Sequence, residues 1–139
     1  MADKFNKDFI RKVQEEIERK VIDRMDTLAL HIHNRLTVAT DVDYGQARAG
    51  WNIATNEIDF SIPKRPIQPK KTKGLKVKKI ILPPPASRIK QKARKLGDSY
   101  FITNNVAHIK YMNEGTDSRP PTHFIEREII QGVADKVNG

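Results

Sequence analysis

One long amphipathic helix is the feature that most constrains this chain. Residues 5 to about 36 contain no glycine or proline. Apolar side chains recur there at helical spacing, mostly at every fourth position, which predicts an α-helix with one apolar stripe. The stripe consists of Phe5, Phe9, Val13, Ile17, Val21, Met25, Leu28, Ile32 and Leu36.

The length of this helix leaves two destinations for its stripe open. At about 1.5 Å per residue the helix is roughly 45–50 Å long, which is more than a small domain can cover. Either the whole stripe is internal core, or its N-terminal part contacts another subunit. In the second case the residues expected at the subunit interface are Phe5, Phe9, Val13 and Ile17, joined by Leu75, Val77 and Ile80 from a later segment.

The charge of the chain is divided unevenly along its length. The 139 residues include 26 Lys and Arg against 17 Asp and Glu, a formal net charge of +9. Residues 60–97 carry thirteen of the basic side chains and no acid, whereas the rest of the chain has a net charge of −4. A mildly acidic body therefore carries a basic insert, in which residues 63–85 are expected to form a Pro- and Lys-rich loop or arm.

Seven shorter segments are predicted after the long helix. In chain order they are a loop over 37–50, strands over 51–62 and 75–82, a helix over 87–97, a strand over 100–104, and helices over 106–113 and from 123 onward. The first strand must bulge or turn near residues 55–57, because its apolar positions shift there by one residue. This order predicts a single α+β domain over residues 1–139: a long N-terminal helix on a small, mostly antiparallel sheet, with a basic extended arm and a C-terminal helix.

The residue types that catalysis and metal binding need are not suitably arranged. The chain has no cysteine, which excludes disulfides, thiolate catalysis and cysteine-ligated zinc. The four histidines lack metal-ligand spacing, and His31 and His33 point in different directions on a helix. The acids Glu57 and Asp59 are better explained as a solvated edge than as an acid–base pair. We therefore predict no enzyme, no cofactor and, because no apolar run approaches transmembrane length, no membrane partner.

Phosphate is the partner that the basic insert suggests. Thirteen cations within 38 residues predict a salt-sensitive attraction to nucleic acid that does not depend on base sequence. Residues 61–99 contain no aromatic side chain, so base stacking is not offered there. Acidic patches on a neighbouring protein, or simple solubility, are the alternatives. The residues expected to contact a DNA backbone or an acidic partner are Lys70, Lys71, Lys73, Lys76, Lys78, Lys79, Arg88, Lys92 and Lys95.

Three stretches carry a resemblance to a known family. Residues 42–51, V-D-Y-G-Q-A-R-A-G-W, are similar to the pattern P-V-D-T-G-R-x-R-x-S-W. Residues 104–116, N-N-V-A-H-I-K-Y-M-N-E-G-T, are similar to N-x-x-x-Y-x-x-x-L-E-x-G-T, and residues 120–125, P-P-T-H-F-I, match a P-x-x-F-hydrophobic helix opening. Together they resemble the tail-completion, or neck, family of tailed bacteriophages. The chain departs from the pattern at Tyr44, where threonine is usual, and at Gln46, where arginine is common.

The resemblance implies a structural virion protein that is assembled in the host cytoplasm. Such a protein forms a ring at the phage neck that joins or completes the head–tail connection around the DNA channel. Its partners would be further copies of itself (a hexamer rather than a dodecamer), neighbouring head-completion and tail-tube proteins, and the backbone of the genome DNA. The motif residues expected to hold the fold, through tight turns and a core anchor, are Gly45, Trp51, Gly115 and Pro121.

Two alternative functions are left open by the sequence. A tail terminator ring at the top of the tail tube would have a similar size and position. A free basic nucleic-acid-binding protein, which is a different class, would use the same lysines and arginines on phosphates.

Overall fold

The computed structural model describes residues 2–42, 45–65, 80–85, 88–89 and 95–138. The predicted α+β fold is confirmed: a long N-terminal helix and a C-terminal helix accompany a small antiparallel sheet. Within the described ranges the elements are α1 (Ala2–Ala39), α2 (Gln46–Ala49), β1 (Trp51–Thr55), β2 (Tyr100–Asn104), α3 (Ile109–Glu114) and α4 (Phe124–Val137).

The helix α1 extends further than the pattern predicts. It has 38 residues, which corresponds to about 57 Å at about 1.5 Å per residue. The predicted extent of the loop over 37–50 is wrong at both ends. The helix α1 continues to Ala39, and a short helix, α2, forms over Gln46–Ala49. The Thr40 backbone N–H continues the helical pattern by donating to the Leu36 carbonyl (3.1 Å), and two hydroxyls bond back to carbonyls one turn earlier, Thr37 Oγ1 to His33 (2.8 Å) and Thr40 Oγ1 to Leu36 (2.6 Å).

The sheet consists of β1 and β2 in antiparallel register. Trp51 lies opposite Asn104, Ile53 opposite Ile102 and Thr55 opposite Tyr100. Trp51 and Ile53 are buried on one face of β1, and this strand lies against α1. The two strands are far apart in sequence, so their pairing encloses the basic insert between them.

The predicted strand over 51–62 ends at Thr55. Asn56 adopts a positive φ of 63°, which turns the chain out of the sheet. Residues 58–62 then run beside the strands, because the Asp59 carbonyl accepts hydrogen bonds from Asn52 (3.1 Å), Thr103 (3.0 Å) and Asn105 (3.2 Å). Asp59 is half-buried, and its backbone carbonyl anchors this segment, a role that the expected solvated acidic edge does not include.

Two hydrophobic clusters form the core. The larger lies between α1, α2, the start of β1, α3 and α4, and the smaller lies between α1, β1 and the segment at 88–89. The buried members are Leu36, Ala47, Trp51, Val106, Ile109 and Phe124 in the first cluster, and Ala29, Ile53 and Ile89 in the second. Both clusters use only the C-terminal half of α1.

Two other predicted elements differ from the structure where it describes them. Residues 80–82, the end of the expected strand over 75–82, are not in a strand and run into three prolines, Pro83 to Pro85; residues 75–79 lie outside the described residues. The expected helix over 87–97 is absent at the described residues 88–89 and 95–97. A turn forms there instead, because Asp98 bonds the Lys95 backbone and Gly97 takes a φ of 87°. The helix expected over 106–113 is shifted to Ile109–Glu114.

Candidate assembly surfaces

The helix α4 covers the C-terminal half of α1 at close range. A Cβ on Gly132 would lie 3.1 Å from Ile32 Cγ1 and 3.4 Å from Arg35 Cδ. Glycine at this position therefore lets the two helices approach closely. Phe124 and Ile125, in the first turn of α4, pack into the larger core cluster.

A charged cluster fixes the position of α4 on α1. Arg35 lies 2.7 Å from Glu128 and 3.1 Å from Asp135, and His31 Nε2 lies 2.9 Å from the same Asp135 oxygen. Hydrogen bonds from Gln131 and His31, followed by the charge of Arg35, lower the pKa of Asp135. The predicted divergence of His31 and His33 is seen here, because His33 points instead to the Trp51 carbonyl, at 3.0 Å.

Asn113 joins α3 to the beginning of α4. Its side-chain oxygen accepts a hydrogen bond from the Ile125 backbone N–H (3.0 Å), and its side-chain nitrogen donates to Glu126 (3.0 Å). This bond from Asn113 is the largest cause of the lowered pKa of Glu126. Asn113 is buried, and no sequence pattern singles it out, although it lies inside the second family-like stretch.

The motif glycines and Trp51 occupy structural positions. Gly115 ends α3 with a φ of 81°, and a Cβ there would lie 2.7 Å from both the Arg119 carbonyl oxygen and the Pro121 nitrogen. Trp51 is buried, and its indole N–H donates to Thr40 Oγ1 at 2.7 Å. Gly115 thus occupies a turn that favours glycine, and Trp51 occupies a core position.

The two ends of the 63–85 loop are held at one turn. Gly45 has a φ of 80°, and a Cβ there would lie 2.6 Å from the Leu82 carbonyl oxygen. The neighbouring Gln46 side chain donates to the Pro63 carbonyl at 3.0 Å. Pro63 and Leu82, near the two ends of the 63–85 loop, therefore both lie at the start of α2, beside an open groove of about 530 Å³ that Arg65 and other residues line.

Few of the residues expected to contact DNA or an acidic partner fall within the described ranges. Arg88 and Lys95 are described, and both are exposed. Of the later interface candidates, Ile80 is exposed. The remaining predicted contacts lie outside the described residues: Lys70, Lys71, Lys73, Lys76, Lys78, Lys79 and Lys92 from the basic set, and Leu75 and Val77 from the interface set. These assignments stay predictions.

The N-terminal half of α1 is an exposed apolar surface. We define it as residues 4–25 and from here on call it the arm, as distinct from the basic loop of residues 63–85. Every described side chain from Asn6 to Val21 is exposed, including Phe9 (61%) and Ile17 (56%). Val13 is also exposed, whereas the side chain of Phe5 lies outside the described residues. Of the predicted interface residues in the arm, Phe9, Val13 and Ile17 are thus available for contact. Ile10 is similarly exposed and was not among the predicted interface residues.

A second apolar surface lies on the outward side of α4. Ile129, Ile130, Val133 and Val137 are all exposed; Ile130, Val133 and Val137 lie on the side away from Gly132, and Ile129 lies at the edge of that side. We call these four residues the outer face of α4. The chain therefore presents two helical apolar surfaces that no described residue covers.

Other kinds of site find little support in the part of the chain that the structure describes. No group of three or more metal-ligating side chains converges among these residues. None of the helices described is long and apolar enough to cross a bilayer. No protein-family model, no curated protein and no solved structure matches this chain.

Proposed function

We propose that this chain is a structural subunit of a tailed-bacteriophage particle, which forms a ring at the neck that joins or completes the head–tail connection. The observation that carries the proposal is the arm. It exposes an apolar helical surface that a chain acting alone would have no reason to keep, since exposed apolar patches of this kind mark sites of association. An assembly subunit needs such a surface.

The positions of the family-like motifs support the same proposal. Gly45 and Gly115 occupy turns that require a positive φ, and Trp51 fills the core. Motif residues that stabilise the fold are what a structural protein requires. The partners we propose are further copies of the chain, in a ring of six rather than twelve, with head-completion and tail-tube proteins on either side.

The basic insert has a place in this proposal. A ring multiplies the thirteen cations of residues 60–97 around the channel through which the genome passes. Contacts to phosphate would be independent of base sequence, as passage of a whole genome requires. The mature protein would then be located in the virion.

Deletion of the gene from the phage that encodes it tests the proposal. Electron microscopy of the lysate is expected to show filled heads and finished tails that are separate, with infectivity restored by the wild-type gene on a plasmid. A tail terminator would instead give tails of irregular length when deleted. Normal, infectious virions in the deletion lysate would overturn any role at the neck.

A free nucleic-acid-binding protein is the second candidate, favoured by the acid-free charge of the insert. The test is the binding of two duplexes of unrelated sequence over a range of salt concentrations. Replacing Lys70, Lys71 and Lys73 by glutamine should reduce the salt slope by up to about 0.9 for each phosphate that is no longer neutralised. Binding by the variant with an unchanged salt slope would show that these lysines do not contact the phosphates.

A further inference from the structure

The sheet has two outer edges, and the hydrogen bonds between β1 and β2 determine which residues face each of them. The Asn56 backbone N–H donates to the Ser99 carbonyl at 2.7 Å, and the register places these two residues directly opposite each other. Because bonded and non-bonded pairs alternate along an antiparallel ladder, every second residue of β2 directs its backbone N–H and carbonyl away from β1. These outward residues are Tyr100, Ile102 and Asn104.

The outer edge of β2 is unpaired. Among the described residues, no backbone N–H or carbonyl of Tyr100, Ile102 or Asn104 has a hydrogen-bond partner, and all three residues are partly accessible to solvent. Residues 99–105, S-Y-F-I-T-N-N, contain neither a charge nor a proline, the usual means of protecting such an edge. We call the outward backbone groups of these three residues the open edge of β2. An edge of this kind is a template for a further strand.

The outer edge of β1 is closed. Ile53 and Thr55 face it and are only 4% and 1% exposed, and Ile89 packs against Ile53 in the smaller core cluster. The Trp51 carbonyl on the same edge already accepts a hydrogen bond from His33, at 3.0 Å. Another strand therefore has no access to the backbone of this edge. Of the two edges that the structure describes, only that of β2 can take a partner.

A second copy of β2 fits the open edge in one register. Two copies that join through their described sheets must pair β2 with β2, because each offers only this edge. If Ile102 lies opposite its own copy in an antiparallel pair, Tyr100 lies opposite Asn104 of the second copy, and every outward N–H meets an outward carbonyl. A shift by one residue would set outward groups against positions that face β1, and a shift by two would leave Asn104 beyond the end of the partner strand.

We propose that two copies of the chain pair antiparallel through the open edge of β2, about a two-fold axis at Ile102. The two sheets then form one sheet of four strands, which is more stable than a pair of strands alone. On the other face Phe101 lies opposite Thr103 of the second copy, an aromatic and β-branched pair of the kind that stabilises sheets. The nearest charged residue, Asp98, lies opposite Val106, so the register brings no like charges together.

The pairing goes beyond the proposed function. A two-fold contact closes on two copies, so a ring would need its lateral contacts elsewhere, for instance on the arm. The two proposals fail separately. A dimer together with normal virions from the deletion strain would sink the proposed function and leave the pairing intact. A monomeric chain whose deletion separates heads from tails would do the reverse.

Hydrogen exchange of single amides, followed by NMR at increasing protein concentration, tests the pairing within β2 itself. The amides of Tyr100, Ile102 and Asn104 should exchange roughly 10-fold more slowly once about nine-tenths of the chain is dimeric, because exchange then proceeds from the free tenth. The amides of Phe101 and Thr103 are the internal control, since they bond to β1 and should be protected at every concentration.

Two results would overturn the proposal. One is a chain that stays monomeric at high concentration by sedimentation equilibrium while the amides of the open edge exchange fast, which would leave this edge to an extended segment of another protein. The other is equal protection of all five amides of β2 in the monomer, which would mean that the chain covers this edge itself.

A matched pair of double substitutions tests the register. Ser99 lies opposite Asn105 of the second copy, but the two positions are about 20 Å apart within one strand. Ser99→Asp with Asn105→Asp places like charges opposite each other twice in the dimer, whereas Ser99→Asp with Asn105→Lys places opposite charges there. The Kd of the first should exceed that of the second by roughly 10-fold or more at low salt.

The design controls for folding. Both double variants lose the same hydrogen bond from Asn105 to the Asp59 carbonyl, 3.2 Å long, so their cost in stability is matched. The signal of the single tryptophan, Trp51, reports that each variant is folded. Equal Kd values for the two folded variants would show that Ser99 and Asn105 do not meet, and the proposed register would be wrong.

Discussion

The two halves of α1 have the same kind of sequence and different surroundings. In the half beyond residue 25, Leu36 and His33 are each 1% exposed, and α4 and the sheet lie against them. In the arm, the corresponding apolar side chains are exposed, and no described residue lies against them. Periodicity therefore indicates that a helical face will be covered, but it does not indicate which surface covers it.

The difference has a consequence for how each half remains helical. The covered half is stabilised by tertiary contacts, as most helices in proteins are. The arm has ion pairs at helical spacing, such as Arg19 with Glu16, and continuity with a helix that is already nucleated. We therefore expect the body to unfold as one unit while the arm frays first, unless a partner covers it.

The largest expected effect compares one truncation in each half. Leu36→Ala should lower the free energy of unfolding by about 2–5 kcal/mol, because it leaves a cavity in the larger core cluster. Ile17→Ala should change it by less than about 0.5 kcal/mol in the monomer, because Ile17 is surrounded by solvent. Urea unfolding at low protein concentration, followed by Trp51 fluorescence, measures both.

The protein concentration is the control for this comparison. If the arm contacts further copies of the chain, Ile17→Ala should become destabilising as concentration rises, whereas the effect of Leu36→Ala should persist at every concentration. Equal effects of the two substitutions at low concentration would show that the arm is packed within the monomer, and the contrast between the halves would disappear.

Alanine substitutions at two glycines, one in contact with the rest of the chain and one in open space, extend this comparison. Gly45 and Gly97 have nearly the same φ, 80° and 87°, but a Cβ would lie 2.6 Å from the Leu82 carbonyl at Gly45 and would meet nothing within 4 Å at Gly97. Both alanine variants incur the strain of a positive φ, about 1–3 kcal/mol. Gly45→Ala should cost more, by an amount that measures the contact with Leu82.

The measurement is again the free energy of unfolding, with limited proteolysis of the insert as a second readout. Cleavage after lysines of the 63–85 loop should accelerate in Gly45→Ala and stay at the wild-type rate in Gly97→Ala, because Gly45 lies against Leu82, near the end of this loop, whereas a Cβ at Gly97 would contact nothing. Equal stabilities and equal cleavage rates would mean that the turn at Gly45 does not hold the insert.

The sequence predicted those parts of the fold that local patterns determine. The long helix, the antiparallel character of the sheet, and the start of α4 beside His123 follow from periodicity, phase and prolines. The boundaries that failed depend on single hydrogen bonds. The Thr40 backbone N–H continues α1 by bonding the Leu36 carbonyl, and Asp98 replaces a predicted helix end with a turn.

The polar anchors could not be predicted because their partners are distant in sequence. The Asp59 carbonyl collects three donors, two of them from Thr103 and Asn105, and no local pattern pairs a backbone oxygen with side chains 44 and 46 residues away. Asn113 likewise bonds a residue distant in sequence, because it accepts a hydrogen bond from the Ile125 backbone in α4. For the assembly surface, the sequence offered the stripe, and the structure added which half of the stripe is exposed.

The smallest expected effect concerns pH and again separates the two halves of α1. Burial lowers the pKa of His33 from its ordinary value of 6.5, and the hydrogen bond to the Trp51 carbonyl offsets this only in part. The buried Nδ1 has no hydrogen-bond partner among the described residues. His33 therefore binds a proton less readily in the folded protein than in the unfolded chain, which becomes protonated as the pH falls through about 6.5. Stability should decrease by about 1 kcal/mol between pH 7.5 and 5.5.

The His33 effect can be separated from that of the carboxylates. The lowered pKa values of Asp135 and Glu16 affect stability only as the pH falls below about 4.5, because these groups remain charged above it. His33→Gln should abolish the decrease above pH 5.5, and replacement of the exposed His108 by glutamine should leave it in place. A stability that is constant or that rises on acidification to pH 5.5 would show that His33 is protonated in the folded protein. The side chain of His33, in the covered half of α1, would then be more accessible to water than its burial indicates.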